Sequence, residues 1–146
     1  MLSKSQAKWF FLGGTIVTFL AFIILSWWSL VQDVPKQTHP ENLTPQVVAG
    51  KHLWESNNCM GCHTILGEGA YYAPELTKVI DRRGAPYVKA VLTSKSAWQP
   101  RGRKMVAYGF SDHDAEDIIA FLTWIGKTDL NGFPTKPSYK STVNTN

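Results

Sequence analysis

Cys59-Met60-Gly61-Cys62-His63 is the stretch on which the reading of this chain turns. It has the form C-x-x-C-H, the attachment signature of a c-type haem. Two thiols one helical turn apart can each add to a vinyl group of one porphyrin. The histidine directly after the second thiol then lies under the ring, where it can bind iron as proximal ligand. The chain has only these two cysteines, so neither has a competing partner. A disulfide framework usually needs four or more. A redox C-x-x-C would want a thioredoxin-like βαβ setting, and zinc would want a second ligand pair. Neither is visible, and the expectation is one covalently bound haem c held by Cys59 and Cys62, with His63 on the iron.

Upstream, Trp9 to Val31 carries no charge over 23 residues. As a helix this run is about 35 Å long, enough to cross a bilayer core. Lys4 and Lys8 precede it, and Trp9, Trp27 and Trp28 sit near its ends, where aromatic belts form. The lysines favour a cytoplasmic N-terminus and place everything after Val31 on the other side. A cleaved signal would have a shorter apolar core and small residues at its end, whereas this run ends in Trp27-Trp28. Gly13 and Gly14 permit close approach of a neighbouring helix, and Thr15 and Thr18 either contact such a helix or bond back to their own turn. The formal net charge of +4 is too small to argue for nucleic acid.

Downstream, residues 33–44 hold Pro35 and Pro40 and read as an extended linker. Thr44-Pro45 is a helix start. Val47, Gly50 and Trp54 then share one face, and Gly50 makes sense if another helix crosses tightly there. Pro74-Glu75 is expected to open a second helix that carries Leu76, Val79 and Ile80 inward and ends at Gly84. Pro86 opens a third. Residues 94–109, with Pro100, Gly102 and Gly109, read as a loop. Ser111 with Asp114 resembles a capping box. It starts a last helix whose buried stripe is Ile118, Phe121, Leu122 and Ile125, and which ends near Gly126. Residues 128–146 read as an extended or disordered tail. No strand-period segment stands out. The expected organisation is therefore all-α: an anchor helix over residues 1–32, a linker, a domain over 45–127, and the tail.

A helix with glycine and an aromatic, then C-x-x-C-H, then a loop with methionine, then an amphipathic helix: this order resembles the class I cytochrome c fold. More specifically, LWESNNCMGCHTILGEGAYYAPEL, with Arg82-Arg83-Gly84 after it and an anchor before it, resembles the cytochrome c subunits of bacterial nitric oxide reductases. That resemblance implies a periplasmic electron-transfer subunit docked on a large polytopic catalytic subunit. The partner's b-type haem takes the electrons, and NO becomes N2O there, with no NO site in the present chain. A soluble cytochrome c or cupredoxin would be the donor. It also implies Met105 as the iron's second ligand, since class I cytochromes take their distal methionine from the loop before the last helix. His52 and His113 are the alternatives; Met60 is held on the proximal side. Valine follows Met105 where the family usually has proline, so the backbone there is less restrained. Gly69 and Tyr71 would lend backbone carbonyls to a calcium at the subunit interface, although a plain glycine turn accounts for the same residues.

Arg82 and Arg83 are candidates for haem propionates, for which a guanidinium fork is suited. Their residues alone equally fit an exposed helix end. Tyr71, Tyr72, Trp98, Arg101 and Arg103 are further candidates for the haem rim, and Pro74 for the proximal wall. Eight basic residues and one acid lie between Lys78 and Lys104. They form either a steering patch or a solvated face. Three other functions remain open on the residues: a free membrane-tethered shuttle, a cytochrome c subunit of a haem-copper oxygen reductase, and a haem sensor or peroxidase with an open iron position.

Overall fold

The computed structural model describes residues 3–132, and Pro100 and Arg101 by their backbone only. Most of the tail assigned to residues 128–146 lies outside the described residues. The chain divides into two units, Met1–Thr38 and His39–Asn146.

The first unit is one helix. α1 runs Lys4–Trp28 and starts on a capping box, in which Gln6 N–H donates to Ser3 Oγ and the Gln6 side chain accepts from Ser3 N–H. Its apolar side chains are exposed all round, as a lipid-facing span requires. Gly13 and Gly14 have open space around them, and Thr18 bonds back to the Gly14 and Thr15 carbonyls. The helix does not end where the apolar run ends. It widens into a π-turn at Ser29–Asp33 and continues as α2, Val34–Thr38. The expected extended linker is thus helical over its first half, and the whole helix covers Lys4–Thr38. Proline in a helix lacks an N–H and its ring clashes with the carbonyl four residues back. The π-turn just before Pro35, closed by Val34 N–H onto Ser29 O, provides the slack. The break comes instead at His39, whose φ is 49°.

The second unit holds the core. α3, Pro45–Ser56, begins with the Thr44 side chain accepting from Val47 N–H at 3.3 Å. It buries Val47, Gly50 and Trp54 on one face, as the spacing predicts. α6, Asp112–Lys127, begins with Ser111 Oγ accepting from Asp114 N–H at 3.1 Å. It buries Ala115, Ile118, Phe121, Leu122 and Ile125, and also Asp117. These two helices share the largest contact of the unit. At their crossing a Cβ built on Gly50 would stand 1.9 Å from the Asp117 carbonyl oxygen and 2.9 Å from Phe121 Cβ. Only glycine lets the backbones meet this closely. Trp54 and Phe121 pack beside it with ring centroids 6.0 Å apart.

Two short helices, α4 (Val79–Arg83) and α5 (Ala85–Leu92), close the core with Val79, Val88 and Leu92. α4 begins five residues later than the Pro74-Glu75 signal suggests. The backbone between them is engaged elsewhere: Leu76 N–H donates to Thr64 O at 2.8 Å, and Thr77 N–H donates to the Glu75 carboxylate. Groups engaged in this way cannot form helical bonds as well. Two small antiparallel pairs, unforeseen in the sequence, complete the unit: β1 (Thr64–Ile65) with β2 (Glu68–Gly69), and β3 (Trp98–Arg101) with β4 (Arg103–Met105). The second occupies what reads as a loop. The architecture remains helical, with one N-terminal helix long and apolar enough to span a membrane.

Candidate functional site

The C-x-x-C-H segment leaves α3 through Asn58, which adopts φ 50°, and forms a 3-10 turn, Cys59–Gly61. His63 N–H closes onto Cys59 O at 2.9 Å. The two cysteines are not bonded to each other; Cys59 is partly buried and Cys62 exposed. Burial first, and the neighbouring Cys62 second, push the Cys59 thiol up to about 11. Burial at this position disfavours the thiolate form of Cys59.

His63 is oriented by a contact that the sequence shows only as a nearby proline. Its Nδ1 donates to the Pro74 carbonyl at 2.7 Å. A carbonyl can only accept, so Nδ1 carries the proton and Nε2 keeps a free lone pair. A second hydrogen bond of this kind is how proteins fix the tautomer and angle of a metal-binding imidazole. Burial lowers the His63 pKa, opposed by that bond, and the balance favours the neutral ring that a metal requires.

The hairpin after His63 explains Gly67 and Gly69. Leu66 and Gly67 both have positive φ, 51° and 85°, in a two-residue turn of the primed type. Leucine in this region is strained; its N–H bond to Thr77 helps hold it. Gly69 has φ 116°, and a Cβ there would stand 2.2 Å from the His63 carbonyl oxygen. Gly69→Ala is therefore expected to push the hairpin off His63 and to cut the yield of haem-loaded chain about tenfold, read from the haem-to-protein absorbance ratio after purification.

The remaining candidates separate. Met105 ends β4 opposite Trp98 in register and is partly buried against the core. His52 is exposed on α3, and His113 is largely exposed and pairs with Asp117 at 3.4 Å. Arg82 is engaged by Glu75, through its carboxylate at 3.2 Å and its carbonyl. The Arg83 guanidinium lies 5.4 Å above the Tyr87 ring, whose centroid is 5.9 Å from that of Trp98. The Tyr71 carbonyl accepts from Arg103 Nη1 at 3.1 Å. Tyr71 and Tyr72 are themselves exposed. Apart from the His113–Asp117 pair within α6, these contacts join residues from different elements, so no local signal in the sequence ranks them. The one local cue is Arg101-Gly102-Arg103, a turn signal flanked by long side chains.

The residues fit a haem. The donor set is two unpaired thiols at the attachment spacing and an imidazole with Nε2 free. Two buried polar atoms beside this loop, Trp54 Nε1 and Thr64 Oγ1, have no hydrogen-bond partner among the described residues. The Trp54 and His63 ring centroids are 6.3 Å apart. Buried donors without partners next to a binding loop mark a place where a further group completes the packing.

Comparison with known proteins agrees with this geometry. The cytochrome c family pattern matches residues 47–126. The chain is similar to the C subunit of the nitric oxide reductase of Halomonas halodenitrificans, with 43% identity covering 94% of this chain and 97% of the relative. It is also similar to the corresponding protein of Stutzerimonas stutzeri, at 38% identity over 90% of this chain and 93% of the relative. The one from Paracoccus denitrificans is 35% identical over 92% and 95%, respectively.

Proposed function

Because this chain belongs to the cytochrome c family, within the C subunits of nitric oxide reductases, we propose that it is the electron-entry subunit of a membrane-bound nitric oxide reductase. In this reading it takes single electrons from a soluble cytochrome c or cupredoxin. It hands them to the b-type haem of a large polytopic catalytic subunit, which reduces NO to N2O. The haem c of such a domain supplies one-electron redox chemistry. What the chain contributes is attachment, orientation and placement. Cys59 and Cys62 would tether the porphyrin, and His63, with Nε2 unprotonated, would bind its iron. Met105 would supply a thioether ligand, which would favour the ferrous state relative to a second imidazole. Arg83 or Arg82 would serve the propionates; Arg82 must first release Glu75.

The anchor, residues 1–32, holds residues 45–127 on the periplasmic face of the inner membrane, with the N-terminus cytoplasmic. Gly69 and Tyr71 would lend carbonyls to a calcium between the subunits; the Tyr71 carbonyl already accepts from Arg103. Among the described residues no group of His, Cys, Asp or Glu is gathered to hold a metal, so a calcium would rest on carbonyls and on the partner.

The observation that carries this reading is the His63 ring, fixed by Pro74 within the C-x-x-C-H loop. The test is isolation of the chain from native membranes in mild detergent. The expected result is a mature mass increased by one haem, a tight complex with one large haem b protein, and NO consumption by that complex. A chain without added mass, or one whose two sulfurs are both alkylated after denaturation, removes the haem. A lone haem-bearing chain points to a shuttle, and a complex that consumes O2 but not NO points to an oxygen reductase.

A further inference from the structure

Met105 is followed by Val106, which leaves the backbone after the sulfur free to turn. Val106 is itself 59% exposed, so packing does not restrain it either. The restraint comes from two residues before the methionine. Arg103 Nη1 donates to the Tyr71 carbonyl at 3.1 Å and to the Tyr72 carbonyl, and its guanidinium lies 5.4 Å above the Tyr72 ring. Those two carbonyls belong to the segment running from β2 to Pro74, whose own carbonyl orients His63. One side chain thus joins the strand that carries Met105 to the segment that aims the proximal histidine, 31 and 32 residues away in sequence.

Arginine suits this task better than lysine. The guanidinium offers several N–H donors in a fixed plane, so it can satisfy two adjacent carbonyls while stacking on an aromatic face. The other strand has its own tie. Trp98, opposite Met105 in register, packs edge-on against Tyr87 of α5. Beyond Val106 the next hold is Tyr108, whose hydroxyl donates to Asn57 O at 3.4 Å. Between Trp98 and Tyr108, the Arg103 contact is the side-chain hydrogen bond from β4 to another segment among the described residues, beside the packing of Met105 on the core.

We infer that Arg103 is a positioning residue: it clamps the Met105 strand to the His63 loop and keeps the thioether on the iron, the task that a proline after methionine performs through the backbone. The inference rests on the reading of Met105 as axial ligand. Its test uses the full haem-loaded chain in the ferric state. Two signals are followed: the near-infrared charge-transfer band of thioether-ligated ferric haem, and the rate of cyanide binding, which requires the thioether to leave.

Arg103→Gln is expected to weaken the band and to speed cyanide binding about tenfold, since charge-assisted bonds are lost from an exposed site. Arg103→Lys is expected to fall between the parent and Arg103→Gln, because an ammonium keeps donors for the two carbonyls but has no planar face to lay over Tyr72. If Arg103→Gln fails to load haem, Tyr72→Leu carries the test. It removes only the stacked ring and should speed cyanide binding about threefold. An unchanged cyanide rate with a lowered potential would assign Arg103 to the electrostatics of the haem rim and overturn the clamp. A parent chain lacking the band overturns the Met105 reading, and this inference with it. A parent chain with the band whose variants keep both band and rate overturns the clamp alone.

Discussion

Replacing Gly50 by alanine is expected to lower the thermal midpoint of the haem-loaded domain by more than about 10 °C. A methyl group placed there stands 1.9 Å from the Asp117 carbonyl oxygen. The obstacle is backbone in the middle of α6 and cannot rotate away as a side-chain tip could. The helices must therefore separate, and Trp54 and Phe121 then lose their packing on each other and on the core. Overpacking a core costs about 1–3 kcal/mol and occasionally more, and the backbone nature of the clash puts Gly50→Ala at the upper end. Against a total stability of roughly 5–15 kcal/mol that is a large share. A loss of about 3 kcal/mol in a domain of this size shifts the midpoint by roughly 12–24 °C. Gly13→Ala is the control, since nothing lies within 4 Å of Gly13. It should leave the midpoint of the isolated chain where it was. A Gly50→Ala midpoint within about 3 °C of the parent would mean that the crossing adjusts at little cost, and the close approach would not be what glycine is for.

The second large effect belongs to Met105. Met105→Ala is expected to keep the haem, because the covalent links and His63 are untouched, and to lower the reduction potential. Axial ligands set haem potentials over about 0.8 V, and loss of a thioether to water is a shift on the order of 100 mV. For a one-electron couple each 59 mV is tenfold, so a fall of about 120 mV moves the equilibrium with the donor about 100-fold. Electron entry should slow accordingly, and ferrous haem should take up CO readily. His52→Ala and His113→Ala should leave potential and CO uptake unchanged, because both rings are exposed on helices of the same unit. A potential that follows either histidine instead would reassign the ligand.

Much of the domain is legible in the sequence because its signals are local. Thr44-Pro45 and Ser111 announce α3 and α6, and each hydroxyl caps its helix as expected. The faces Val47/Gly50/Trp54 and Ile118/Phe121/Leu122/Ile125 follow from helical spacing. Gly50, an unfavourable residue within a helix, marks the crossing because its absence of side chain is its only advantage there. The burial of Asp117 is not legible, because a carboxylate following the acidic run Asp112, Asp114 and Glu116 looks solvated; tertiary contact with α3 covers it. The Pro74-Glu75 signal fails because backbone groups there have partners outside their own segment. The linker fails for a different reason: Pro35 is a breaker only if the preceding turn stays α, and the π-turn before it removes the clash.

The sequence by itself determined the two thiols and imidazole at attachment spacing, the apolar helix ahead of them, and the helices that enclose the core. Each is set by residues within a turn or two of one another, so covalent geometry and periodicity suffice. Which nitrogen of His63 is left free, what Arg82, Arg83 and Arg103 touch, and how Met105 is held were decided by the tertiary structure. Those are hydrogen bonds and ring contacts between segments up to 32 residues apart. Many long side chains could satisfy such contacts equally well in a list of residues, and only the folded backbone selects which ones come within reach.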